Sequence, residues 1–301
     1  MQLHIGKKKV RFFAHWQMYV MLLPVLVIYG VFRYIPMGAL IIAFQDYNIF
    51  AGIARSEWVG LENFVRLFDA KDFYTVFRNT LEISLLKVAF GFPAPVLLAF
   101  LLNELRSVRF RRICQNIYYL PHFVSWVIIS GLCMDIFAER GIVNRLISAL
   151  GGSPVFFLGE NGWFRFVLVV SDVWKGVGWG SIIYLAALTG VDPCLYEAAD
   201  IDGASRLRKA CSITLPAILP TIAIMFVLRM ASIMDAGQDQ ILLMQNPLVR
   251  SGSEIIDTFV YKQALERGKY SYSTAVGLFK SVISLVLVLI SEWVRKRAEE
   301  V

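Results

Sequence analysis

Asp192 to Pro220 reads DPCLYEAADIDGASRLRKACSITLPAILP, a charged segment between two long apolar runs. Asp192 ahead of Pro193 is a helix start: an acceptor side chain at the N-cap, then a proline where the backbone N–H has no intrahelical partner anyway. Leu195, Ala198 and Ala199 fall on one face at helical spacing, with Glu197, Asp200 and Asp202 beside them. Gly203 is expected to end this helix, because glycine turns left-handed without steric cost. Ser205 then caps a second, basic helix that carries Arg206, Arg208 and Lys209 and runs to Pro216. The predicted product is a helix–turn–helix with an acidic first arm and a basic second arm.

The surroundings of this segment are those of a membrane protein. Of 301 residues, 57% are hydrophobic and only 18% charged, against roughly a quarter charged in a soluble domain. The mean hydropathy is +0.60, and the apolar residues come in blocks. The net charge of +7 does not indicate a nucleic-acid partner, because the basic residues sit in short clusters beside apolar runs. Cys114, Cys133, Cys194 and Cys211 have neither metal-ligand nor disulfide spacing and read as small apolar residues. The first apolar run is too long for a cleaved signal peptide.

Six spans are predicted: about Gln17 to Phe44, Thr80 to Leu102, Ile113 to Phe137, Phe166 to Thr189, Ala217 to Ile233 and Tyr272 to Glu292. The first is longer than a bilayer requires, so it tilts or projects, and Pro24 and Pro36 are candidate bends. Ile142 to Leu150 reads as a short amphipathic helix. The division is a basic N-terminus (1–16), a six-helix transmembrane domain (17–293, with the loop at 192–216) and a short C-terminus (294–301). Segments 1–16, 105–114, 191–216 and 294–301 hold 14 Lys and Arg in 60 residues; segments 46–79, 138–165 and 236–272 hold 11 in 99. The positive-inside rule therefore predicts both termini, and the Asp192–Pro220 loop, on the cytoplasmic side.

The loop also resembles a known family. Glu197-Ala198-Ala199, Gly203 after three residues, and Ile213-x-Leu215-Pro216 after nine more match every position of the EAA loop of ABC importer permeases. Asp202-Gly203-Ala204 completes the turn. Trp58 to Phe64 with Leu67-Phe68 resembles the segment after the first span of carbohydrate-type permeases. Asp239-Gln240-Ile241 and Met244 to Pro247 resemble the subgroup importing large oligosaccharides, including alginate and pectin fragments.

The resemblance implies an all-α membrane fold of the type I importer architecture, in a bacterial inner membrane. It implies a second homologous permease, two ATPase subunits holding ATP and Mg, an extracytoplasmic binding protein and an oligosaccharide cargo. No Gly-x-x-x-x-Gly-Lys-[Ser/Thr] loop is present, so ATP hydrolysis falls to a partner and this chain is not an enzyme. No cofactor or metal is expected on it. In the implied roles, Glu197 makes a charge contact with the ATPase, Ala198 and Ala199 allow close approach, Gly203 sets the angle between the arms, and Leu215-Pro216 join the loop to the fifth span.

Glu82, Lys87, Asp135, Asp172, Lys175, Arg229, Asp235 and Lys280 lie in or near spans, most of them close enough to an end to snorkel. Arg229, Ser232, Asp235, Gln238 and Asp239 make a polar edge that is a candidate pathway lining. Trp174, Trp179 and Tyr184 are candidates to stack on sugar rings, the alternative being helix packing or interfacial anchoring. On sequence, two other readings stay open: an importer permease for a non-sugar solute, and a self-contained secondary transporter.

Overall fold

The computed structural model describes residues 16–299. The predicted basic N-terminus, Trp16 apart, and Glu300-Val301 lie outside the described residues. Five helices are long and apolar enough to cross a membrane, and a bent pair makes a sixth crossing. In chain order these are Trp16–Phe44, Lys71–Asn103, Val108–Phe123 with Trp126–Ile136, Asn161–Leu188, Arg206–Ala231 and Tyr270–Arg297, called spans one to six below. Span two begins at Lys71 rather than Thr80, and span five at Arg206 rather than Ala217. The β structure among the described residues is one antiparallel pair, Gln45 with Trp58 and Asp46 with Glu57.

Span four is the centre, packed against spans two, three and five. Apolar lipid gives little drive to bring apolar helices together, so close backbone approach through small residues carries the packing. A Cβ on Gly178 would run into the backbone carbonyl of Tyr118 in span three. One on Gly180 would stand 2.9 Å from the Pro95 ring in span two. Val96, Ala99, Tyr184, Leu188 and Ile218 fill one core of the bundle; Ile83, Ile129, Phe164, Leu168 and Ile241 belong to another.

Span three is read from sequence as one helix over 113–137, but its two halves meet at 102°. Val124 and Ser125 are extended, and Ser125 caps the second half by accepting from the Ile128 N–H. The freed carbonyls at the end of the first half are taken by a cation from another span. Lys175 Nζ donates to the carbonyls of His122 at 2.9 Å, Pro121 at 3.4 Å, and Val124. A positive charge at the negative end of a helix is favourable, and no water is needed to satisfy the acceptors. Lys175→Met should leave these carbonyls unpaired, at about 1–3 kcal/mol. The expected result is a lower unfolding temperature in detergent, read by tryptophan fluorescence.

Prolines are absorbed in the same way twice. The turns Gly30–Tyr34 and Ala210–Thr214 widen to the π form two residues before Pro36 and Pro216. Widening moves the carbonyl four residues back out of the proline ring's way. The predicted end of the basic helix at Pro216 is therefore corrected: Arg206 to Ala231 passes this proline without interruption. Ile142–Ala149 is the short helix expected there.

The snorkelling expectation is also corrected for several charges. Lys87 is 1% exposed, Lys175 caps span three, and Lys280 pairs with Asp235 at 2.6 Å and Asp257 at 2.7 Å. Glu82 is held by Arg78 and Arg165, each at 2.5 Å. Asp135 is exposed beside the end of span three.

Candidate functional site

The loop between spans four and five folds as its capping residues dictate. Asp192 accepts from the Cys194 N–H at 2.9 Å and starts the helix Pro193–Ile201. Gly203 stands at φ +69°. The Ala204 N–H reaches the Ala199 carbonyl at 2.9 Å and the Gly203 N–H the Asp200 carbonyl at 3.1 Å, so the helix's last carbonyls are satisfied by the turn itself. Ser205 accepts from the Arg208 N–H at 3.3 Å. Two contacts hold the arms together: the Tyr196 and Thr214 hydroxyls at 2.9 Å, and Lys209 with Asp200 at 2.6 Å.

What remains is a surface with nothing against it. Glu197 is exposed and has no ion pair among the described residues, and Ala198 beside it is exposed. Asp202 is exposed next to the turn, whereas Ala199, Ala204 and Ile213 are half-buried. Leu215 and Pro216 are exposed at the start of the apolar part of span five. Ile201 and Leu207, 88% and 76% exposed, flank the glycine turn. Sequence reading passed over these two; the available signal was a large apolar residue on each side of a glycine in an otherwise polar loop.

A second feature lies inside the bundle. Spans two, four and five line a half-open cavity of about 330 Å³. Gly91, Gly176 and Gly180 keep its walls low, and Asp172, Tyr184, Arg229 and Ser232 line it. Behind it, Lys87 donates to Gln240 Oε1 at 2.5 Å and to Asp172 Oδ1 at 3.2 Å. Gln240 Nε2 in turn donates to the Leu168 carbonyl and Ser171 Oγ, each at 2.8 Å. A Cβ on Gly237, where φ is +93°, would stand 2.6 Å from Lys87 Nζ. Every polar atom of the Gln240 amide is thus committed, which is what a buried network requires. Gln240 has this structural part because span five stops at Ala231 and the chain returns through a non-helical stretch to the helix Gln238–Met244. Irregular backbone at membrane depth is tolerated where protein or a hydrated cavity surrounds it.

The predicted pathway residues separate into three groups. Tyr184, Arg229 and Ser232 share the cavity. Asp235, Gln238 and Asp239 gather with Asp257 and Lys280 around a different, open pocket. Burial pushes the Asp257 carboxyl up from its ordinary range, against the pull of Lys280. Trp174 and Trp179 line neither space; they are 47% and 48% exposed, and Trp179 stacks on His122 with centroids 4.6 Å apart.

Comparison with known proteins decides what this arrangement belongs to. Residues 91–300 match the family described as binding-protein-dependent transport system inner membrane component. The chain belongs to that family. Two relatives from Bacillus subtilis (strain 168) are each 44% identical over 284 residues, 94% of this permease. One is Protein LplB, covered over 89% of its length; the other is the polygalacturonan/rhamnogalacturonan transport system permease protein YteP, covered over 88%. The permease also superimposes, at a TM-score of 0.86 and 39% identity, on a chain of a bacterial ABC transporter involved in the import of the acidic polysaccharide alginate. That match covers 94% of this permease and 96% of the other chain. A second structure of that kind, with an alginate pentasaccharide-bound periplasmic protein, matches equally well. The permease is a multi-pass membrane subunit of the type I importer fold, and ATP hydrolysis belongs to separate subunits.

Proposed function

We propose that this permease moves acidic, uronate-containing oligosaccharides from an extracytoplasmic binding protein into a bacterial cytoplasm. It works beside a second permease, and two ATPase subunits hold the ATP and Mg. Both termini (1–16 and 294–301) and the 192–216 loop face the cytoplasm, around a transmembrane domain at 17–293. The observation that carries the reading is the half-open cavity lined by Arg229 and Asp172, whose single carboxylate is already engaged by Lys87 buried behind it. A surplus cation in a low-dielectric space favours an anionic cargo over a neutral one. The polygalacturonan and rhamnogalacturonan of YteP's transport system and the alginate of the structural neighbour are acidic polysaccharides, which supports the same class. Uptake by the importer reconstituted with its own binding protein, using labelled oligogalacturonates and oligoalginates against neutral oligosaccharides of equal length, tests it. Transport of neutral chains alone would overturn the cargo.

The 192–216 loop is read as the contact to the ATPase. Glu197 offers a charge, Ala198 and Ala199 a low surface, and the Gly203 turn presents Ile201 and Leu207 as apolar anchors at the tip. An exposed ion pair contributes at most ~1 kcal/mol, whereas burying a Leu or Ile contributes about 1.5–3 kcal/mol. Ile201→Asp is therefore expected to weaken ATPase retention during purification more than Glu197→Gln does. Equal retention in both would remove Ile201 from the interface.

A further inference from the structure

The cavity holds a cation with no counter-charge of its own. Arg229 lines it, and among the described residues its guanidinium makes no ion pair and no hydrogen bond. The carboxylate on the same cavity, Asp172, is engaged by Lys87, whose side chain is 2% exposed and has no other acid near it. Asp172 thus offsets one positive charge and leaves the second uncompensated. Snorkelling does not relieve Arg229. It shares the cavity with Asp172, which lies near the middle of the 28 residues of span four. The helix that carries Arg229 ends two residues later at Ala231, and the chain beyond is buried at Ile233, Met234 and Ala236.

In the last turn of its helix Arg229 has the favourable helix C-terminus but no carboxylate partner among the described residues. It is left facing the open space, with its fork free for an anion from outside the chain. Its planar fork matches a carboxylate with two parallel hydrogen bonds. Beside it stands Ser232, a hydroxyl partner, while Tyr184, 3% exposed, packs into the wall of the cavity. We infer that Arg229 is the specificity-determining residue of the pathway, pairing with the carboxylates of successive uronate units as the oligosaccharide passes. Lys87 and Asp172 are its background: they close on each other and keep the acid in the cavity from competing for Arg229. This inference rests on the acidic cargo of the proposed function and adds the residue that selects it.

The test uses the whole importer in proteoliposomes with its binding protein and ATPase. Uptake of an oligogalacturonate is compared with uptake of the same chain after its carboxyls are reduced to alcohols, in wild type, Arg229→Gln and Arg229→Lys. Because one binding protein delivers both cargoes, its own preference cancels in each variant-to-wild-type ratio. Loss of a charge-assisted pair is worth about 10- to 100-fold. Arg229→Gln should lower uptake of the acidic chain by that much, and lower the reduced chain by no more than about threefold. Arg229→Lys should restore part of the acidic uptake, since it keeps the charge and loses the fork. Equal loss on both cargoes would assign Arg229 to the fold or to a contact with the second permease, and overturn the inference. Unchanged acidic uptake in Arg229→Gln would overturn it too, leaving the acidic-cargo reading intact. Wild-type protein that refuses the acidic chain would sink that reading and the inference together.

Discussion

Asp172→Leu is expected to destabilise the permease by about 3–5 kcal/mol, because it leaves the Lys87 ammonium buried without its carboxylate. Lys87 cannot escape: it is 1% exposed, and its remaining partner is the neutral amide of Gln240 at 2.5 Å. Arg229 on the same cavity would then add a second cation to the same low-dielectric space. The double replacement Lys87→Met with Asp172→Leu should recover most of the loss, since removing both members of a buried pair is far milder than removing one. Thermal unfolding in detergent, with the yield of intact importer, reads both. A double variant no better than the single one would mean that Asp172 does not serve Lys87.

Gly203→Val is expected to abolish stimulation of ATP hydrolysis by the loaded binding protein while leaving membrane insertion intact. A Cβ at this position meets nothing within 4 Å, so the damage is conformational and not a clash. At φ +69° a β-branched residue is strained by roughly 1–2 kcal/mol, and the chain relieves this by leaving the left-handed region. Doing so breaks the Ala204-to-Ala199 bond and changes the angle between the two arms. Gly203→Asn, which tolerates this conformation better, should keep most of the coupling. Normal stimulation in Gly203→Val would show that the turn does not transmit the signal.

Much of the loop was legible in the sequence because its determinants are local. A capping Asp before Pro193, a glycine after Ile201-Asp202 and a capping Ser205 each act on neighbours within a few residues. The break in span three was not legible, because the group that stabilises it, Lys175, lies about fifty positions further on in another span. The extent of span five was misjudged for a related reason. Pro216 normally ends a helix, and whether a π turn absorbs it depends on the turn before it, not on the proline. For the cavity, composition nominated Tyr184, Arg229 and Ser232 but also Trp174 and Trp179. A membrane helix is apolar all round, so periodicity does not tell which face turns inward. Gln240 was noticed only by resemblance; its burial beside Lys87 depends on the chain turning back after Ala231.

The uninterrupted run from Arg206 to Ala231 also has a mechanical meaning. At 26 residues it is a rod about 39 Å long, with the basic arm at one end and Arg229 close to the other. Its foot is fastened to the first arm by Lys209 and Thr214, so a push on that arm reaches the rod directly. Tilting such a lever by about 10° carries its far end about 7 Å, more than one helical turn. A displacement of that size at Arg229 would change the width of the space beside Asp172, so a load on the loop and the shape of the cavity are expected to be linked through one piece of backbone.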